Sequence, residues 1–204
     1  MMTKEYEFTD VMFRPISKQV TNLIKDWNIT ANQISVFSFL VIIIACLLMH
    51  AYINISGLLI LFFIILDNVD GEIARLKNQT SKLGHWLDAV IGFISVEILI
   101  ITMIFITGNM LGIFTLIAFP MQYLLIYFYK AEIVSSNKPI KLKGILNKLK
   151  LLYGSNLFFM LASIGCLFNK LGYVLMFFAI FGNLFWMGTL MIQTKSLTKG
   201  DRMK

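Results

Sequence analysis

The sequence predicts an all-α, polytopic membrane protein: six transmembrane helices preceded by an N-terminal amphipathic cytoplasmic helix. Three observations carry this. First, 58% of the 204 residues are hydrophobic and only 14% are charged, about half the roughly 25% that soluble domains need to face water. A soluble enzyme, a disordered tail and a secreted disulfide scaffold are excluded on that ground. Second, six apolar stretches approach the ~20 residues that cross a bilayer as a helix. Third, of the 18 lysines and arginines, all but Lys170 fall on one side of a six-span arrangement. The net charge of +7 is therefore first a topology signal and only second a hint of anionic partners. Cys46 and Cys166 sit inside apolar runs, as small hydrophobes do.

Taken in order, residues 12–27 repeat apolar side chains at helical spacing: Met12, Phe13, Ile16, Val20, Leu23, Ile24 and Trp27. Pro15 suits a first helical turn, and the pattern predicts a helix lying on the cytoplasmic membrane face. No isolated apolar stretch precedes Gln33, so no cleaved signal peptide is expected. The spans are predicted at 33–52, 55–70 with helix continuing beyond, 83–107, 110–129, 151–168 and 171–192. Gly108-Asn109 and Asn169-Lys170 mark turns. Segment 138–150 mixes apolar residues with five lysines and reads as a basic loop drawn to anionic headgroups. The predicted organisation is a cytoplasmic segment 1–31, a six-helix domain 32–194 and a cytoplasmic tail 195–204. The positive-inside rule puts both termini on the cytoplasmic side of a cell inner or plasma membrane.

Carboxylates near membrane depth are costly and mark function. The chain reads Asp67-Asn68-Val69-Asp70-Gly71-Glu72-Ile73-Ala74-Arg75, and resumes at Gly84-His85-Trp86-Leu87-Asp88. Asp67 and Asp70, three residues apart, share one helix face. A short turn returns the chain so that Asp88 opens the next span, and the three carboxylates are expected to converge at the cytoplasmic boundary. A hard divalent cation, Mg²⁺ or Mn²⁺, would relieve their repulsion. Gly71 and Gly84 leave room for a phosphate or nucleotide, and Arg75 offers a planar fork for one. The competing reading is a structural cluster neutralised by Arg75, Lys77 and Lys82.

With these residues the chain resembles the CDP-alcohol phosphotransferases. Their signature is D-x2-D-G-x2-A-R-x8-G-x3-D-x3-D, and Asp67, Asp70, Gly71, Ala74, Arg75, Gly84 and Asp88 match it with every spacing kept. Upstream, Ile29-Thr30-Ala31-Asn32-Gln33-Ile34-Ser35 resembles the family's T-P-N-Q-I-T lead-in to the first span, with Ala31 in place of proline. The resemblance implies an integral membrane transferase that moves a substituted phosphoryl group from a CDP-linked donor to an acceptor alcohol and releases CMP. It implies Asp67, Asp70 and Asp88 as ligands of Mg²⁺ or Mn²⁺, and Gly71, Ala74, Arg75 and Gly84 as the nucleotide-binding set. The implied partners are the CDP-linked donor, an alcohol acceptor with a phosphorylated polyol among the candidates, membrane lipids and a second copy in a homodimer. No nucleic acid is expected.

The signature's last aspartate should stand at position 92, where this chain has Gly92. In the family that residue helps bind metal and serves as general base, a role whose loss costs about 10²- to 10⁴-fold. Glu97 points to the opposite side of the helix, about 180° from Asp88. His85 has a suitable intrinsic pKa and is the candidate substitute base, although it lies ~10 Å along the helix from position 92. Glu72 is a lesser candidate on the acceptor side, and Trp86 reads as an interface anchor. Two alternatives stand beside the active transferase. One is a degenerate member that binds metal and CDP-ligand with little turnover. The other is a small transporter or channel using the carboxylates as an ion site.

Overall fold

The computed structural model describes residues 8–136 and 154–201. These form seven helices: α1 (Phe8–Ile24), α2 (Ala31–Leu48), α3 (Ile53–Leu76), α4 (Lys82–Thr107), α5 (Gly112–Ser136), α6 (Ser155–Leu167) and α7 (Leu171–Asp201). No strand occurs among the described residues. The basic segment 138–150 and the chain's last three residues lie outside them.

Local chemistry sets several boundaries. Thr30 opens α2 with a reciprocal capping box: its hydroxyl accepts from the Gln33 N–H at 3.3 Å, while the Gln33 side chain accepts from the Thr30 N–H at 2.9 Å. This satisfies two of the donors a helix start leaves open. Ser81 caps α4 by accepting from the Gly84 N–H at 3.0 Å, and Gly108, at φ +64°, ends it in the left-handed conformation glycine tolerates. The first expectation to be corrected concerns α1. It begins at Phe8, earlier than the apolar pattern suggested, so Pro15 lies inside the helix rather than in its first turn. There it cannot donate to the preceding turn.

Among the described residues, four helices are long and apolar enough to cross a membrane: Ala31–Leu48, Ile53–Leu76, Lys82–Thr107 and Leu171–Lys195. Two others expected to span, Gly112–Phe128 and Ser155–Leu167, are apolar but shorter. The run predicted from position 151 starts outside the described residues. The expected tail after position 194 begins as an unbroken continuation of α7 to Asp201. Large side chains such as Leu47, Phe105, Leu58 and Phe181 are exposed around the bundle, as surfaces bathed by lipid are and water-facing surfaces are not.

Packing departs from the sequence expectation in the way that matters most for the site. α3 and α4 are joined by a short turn, yet they are not a closely packed pair. α2 lies against both of them, and α6 packs on α3. The two carboxylate-bearing helices are therefore bridged by α2, whose first residues line the cleft between the end of α3 and the start of α4. An aromatic cluster fixes the centre. Phe63 meets Phe159 at 4.6 Å between ring centroids, Phe158 meets Phe119 at 5.1 Å and Phe178 at 5.2 Å.

Gly57 sets how near α6 comes to α3. Its carbonyl accepts from the Ser163 hydroxyl at 2.7 Å, and an added Cβ would lie 2.9 Å from the Cys166 Cβ and 3.0 Å from the Ser163 carbonyl oxygen. Small residues permit such approaches between membrane helices. Gly57→Val is expected to cost about 1–3 kcal/mol, the range for overpacking. Thermal unfolding of the detergent-solubilised protein would show it as a lowered midpoint.

Candidate active site

The last turns of α3 and the first turns of α4 face each other across the cleft. Within it is a cavity of about 430 Å³ lined by Asn32 and Ser35 from α2, Asp70, Gly71, Ala74 and Arg75 from α3, and Gly84, His85 and Asp88 from α4. Gln79, Thr80 and Ser81 of the connecting turn complete its rim. Asp70 is 5% exposed, and the Ser35 hydroxyl donates to its Oδ2 at 2.5 Å, which holds the carboxylate in one orientation. Asp88 is near enough for its charge to act on Asp70, and Arg75 offsets part of that repulsion. The Arg75 guanidinium folds back over Gly71, where a Cβ would stand 3.4 Å from Nη1. Gly84 stands against α2. A Cβ there would lie 3.0 Å from Asn32 Oδ1, so this glycine lets α4 close on α2.

A second cavity, of about 640 Å³, opens on the other side of Asp88. Asp67, Trp86, Asp88, Gly92, Phe93, Tyr123, Tyr127, Ser155 and Asn156 line it, drawing on α3, α4, α5 and α6. Phe93 and Tyr123 meet edge to face at 5.5 Å. Around Gly92 the space is open: a Cβ at that position would find no heavy atom within 4 Å.

The structure thus divides the sequence-derived residues into two groups. Asp70, Gly71, Ala74, Arg75, Gly84 and His85 line the first cavity, Asp67 and Gly92 line the second, and Asp88 lines both. Asp88 thus shares one cavity with Asp70 and the other with Asp67. Among the described residues, no three His, Cys, Asp or Glu side chains are grouped as a metal site. Glu97 lies in neither cavity, and its Oε1, like Ser95 Oγ, is buried without a hydrogen-bond partner. Asn32 and Ser35 enter the sequence reading only within the 29–35 lead-in, with no site role, and Gln79 does not enter it. Beyond that lead-in, their signal is the polar character of Asn32 and Ser35 at the start of an otherwise apolar span.

Apolar helices with exposed large side chains around a polar, carboxylate-lined cleft define an integral membrane protein. The family model described as CDP-alcohol phosphatidyltransferase matches residues 28–192, and the chain belongs to that family, a family of membrane transferases of lipid biosynthesis. Among curated proteins it is similar to the "Bifunctional IPC transferase and DIPP synthase" of Thermococcus kodakarensis, 38% identical over 78 residues. The protein of the same description from Aquifex aeolicus is 33% identical over 78 residues. Each match covers 38% of this chain and 18% of the relative. A third, from Archaeoglobus fulgidus, is 37% identical over 78 residues, covering 38% of this chain and 16% of that protein. The chain spans less than a fifth of the length of these relatives.

Proposed function

We propose that the protein transfers a substituted phosphoryl group from a CDP-linked donor to an acceptor alcohol and releases CMP. One observation carries this reading: Asp88 lines both cavities, so a donor held in the first and an acceptor held in the second would meet beside it. The donor diphosphate fits the first cavity, where Gly71 and Gly84 keep the walls low and Arg75 offers a bidentate fork. The acceptor fits the second, between the aromatic rings and Asp67. The acceptor oxygen forms a bond to the phosphorus nearer the donor's alcohol, the bond from that phosphorus to the bridging oxygen breaks, and the bridging oxygen leaves on CMP. The proton of the acceptor hydroxyl must pass to a base.

The donor set fits a divalent cation. Two facing carboxylates, Asp70 and Asp88, suit Mg²⁺ or Mn²⁺, which take one or two carboxylates and complete their shell with water and substrate phosphate. Asp67 would contribute from the second cavity. Such an ion supplies charge neutralisation on the transferred and leaving oxygens. His85, the candidate substitute base, lines the first cavity and lies beside Asp88, away from the space that Gly92 leaves open. Gly92 favours a second reading, a member that binds metal and CDP-ligand with little turnover. CMP release from CDP-diacylglycerol and CDP-glycerol by the reconstituted protein, with Mg²⁺ or Mn²⁺ and a panel of acceptor alcohols, tests the proposal. Donor binding without CMP release for every acceptor would favour the second reading, and no binding of either donor would remove both.

The same reading takes all six apolar segments as spans, α1 as an amphipathic helix on the cytoplasmic face, and the cleft as cytoplasmic. Supporting it, Arg14, Lys18, Lys25, Arg75, Lys77 and Lys82 belong to the cleft end of the bundle, and Lys170 belongs to the turn at the other end. A membrane-impermeant maleimide applied to intact cells should label Lys170→Cys and leave Lys82→Cys unlabelled. The reverse pattern would invert the topology.

A further inference from the structure

Glu72 joins the cleft to the N-terminal helix. Its two carboxylate oxygens accept from Ser17 Oγ at 3.0 Å and from Thr21 Oγ1 at 2.8 Å. Ser17 also reaches the Arg14 carbonyl at 3.2 Å. Both hydroxyl residues are buried, at 0% and 2% exposure, and Phe13, one turn before Ser17, belongs to the same buried core. Phe13, Ser17 and Thr21 recur every four residues, so they form one face of α1. That face lies on α3, while Met12, Ile16 and Leu23 are exposed on an adjoining stripe.

Three further hydrogen bonds tie the connection between α1 and α2 to the residues just after α3. Lys77 Nζ donates to the Trp27 and Ile29 carbonyls at 2.6 and 2.9 Å, and Gln79 Oε1 accepts from the Ala31 N–H at 3.2 Å. Residues that line the first cavity, Asp70, Gly71, Ala74 and Arg75, therefore alternate with residues that grip α1 and its connection to α2. At ~100° per residue, Glu72 lies about 200° around α3 from Asp70. It holds the back of the helical turn whose front faces the cavity. No residue of α1 lines either cavity.

We propose that Glu72 is a positioning residue: through Ser17 and Thr21 it fixes the Asp70–Arg75 turn against α1, so that the seating of α1 sets the geometry of the donor cavity. This rests on the donor assignment above. A buried hydrogen-bonded carboxylate resists displacement because each unsatisfied partner left behind is costly. Loss of the clamp frees α1 and lets the α3 turn rotate, which moves Asp70 and Arg75 together.

The test uses the full chain in proteoliposomes, with hydrogen exchange of the α1 amides, equilibrium binding of CDP-glycerol in Mg²⁺, and KM and kcat for CMP release. Glu72→Ala should speed exchange in α1 and weaken CDP-glycerol binding by about ten-fold or more, the usual size of effects from groups that orient a binding residue. The weakening should fall on KM, with kcat changed less. Glu72→Gln, which still accepts one hydroxyl, should recover part of the affinity. The Ser17→Ala, Thr21→Val double variant should reproduce the loss without touching α3, and it carries the test if Glu72→Ala does not fold. Faster exchange in α1 with unchanged CDP-glycerol affinity would overturn the proposal, and so would unchanged exchange. Failure of the unmodified protein to bind CDP-glycerol would instead remove the donor assignment. In that event the same comparison made with Mn²⁺ alone decides the proposal, and equal Mn²⁺ affinity in Glu72→Ala would overturn it.

Discussion

Asp70→Asn is expected to abolish Mg²⁺-dependent binding of CDP compounds and to lower CMP release by about 100-fold or more, the scale of losing charge stabilisation in a phosphoryl transfer. The substitution is close to isosteric. Asparagine can still accept from Ser35 through its carbonyl oxygen, so the 2.5 Å contact is retained in kind and only the charge is lost. Asp70 and Asp88 repel one another across the first cavity. Removing one charge relieves that repulsion, and the folded protein should be no less stable for it. A fall in both binding and activity with an unchanged melting midpoint would therefore locate the effect in the site. Asp88→Asn should do at least as much, because Asp88 lines both cavities. If Asp70→Asn kept Mg²⁺-dependent affinity for CDP compounds, the assignment of the first cavity would be wrong.

Much of this site is legible in the chain because it is written in short-range spacing. Asp67 to Arg75 lie on one continuous helix, α3, as their spacing required, and Ser81 and Gly84 open the next helix as a cap and a close-approach residue. Thr30 and Gln33 carry the start of α2 in the same local way. What the sequence could not show are relations between distant segments. Ser17 and Glu72 are 55 positions apart, and nothing in either neighbourhood announces a partner. The placement of α3 relative to α4 is likewise a tertiary matter. A short turn suggests close antiparallel packing, yet α2 packs against both helices. Which carboxylates share a cavity, Asp70 with Asp88 and Asp67 with Asp88, is set by that packing. The continuation of α3 past its apolar run to Leu76 follows the sequence reading, and α6 is helical from Ser155 to Leu167.

Gly92→Asp should raise CMP release by about ten-fold or more, within the range a positioned general base contributes. Position 92 is four residues after Asp88, about 40° around α4 and one turn along it, so its side chain would enter the second cavity on the side that Asp88 already faces. Space is not an obstacle, since a Cβ there meets no heavy atom within 4 Å. The new carboxylate would also add an anionic ligand, so Mg²⁺ or Mn²⁺ should bind more tightly. His85→Ala is the companion measurement, because His85 lines the first cavity and Gly92 the second. If a carboxylate at position 92 restores proton transfer, the gain should persist in the Gly92→Asp, His85→Ala double variant. If His85 carries the proton in the unmodified protein, His85→Ala alone should lower kcat, and Gly92→Asp should rescue it. A negligible rate that neither substitution changes, with CDP-ligand binding intact, would leave the chain as a member of its family that binds the donor and does not turn it over.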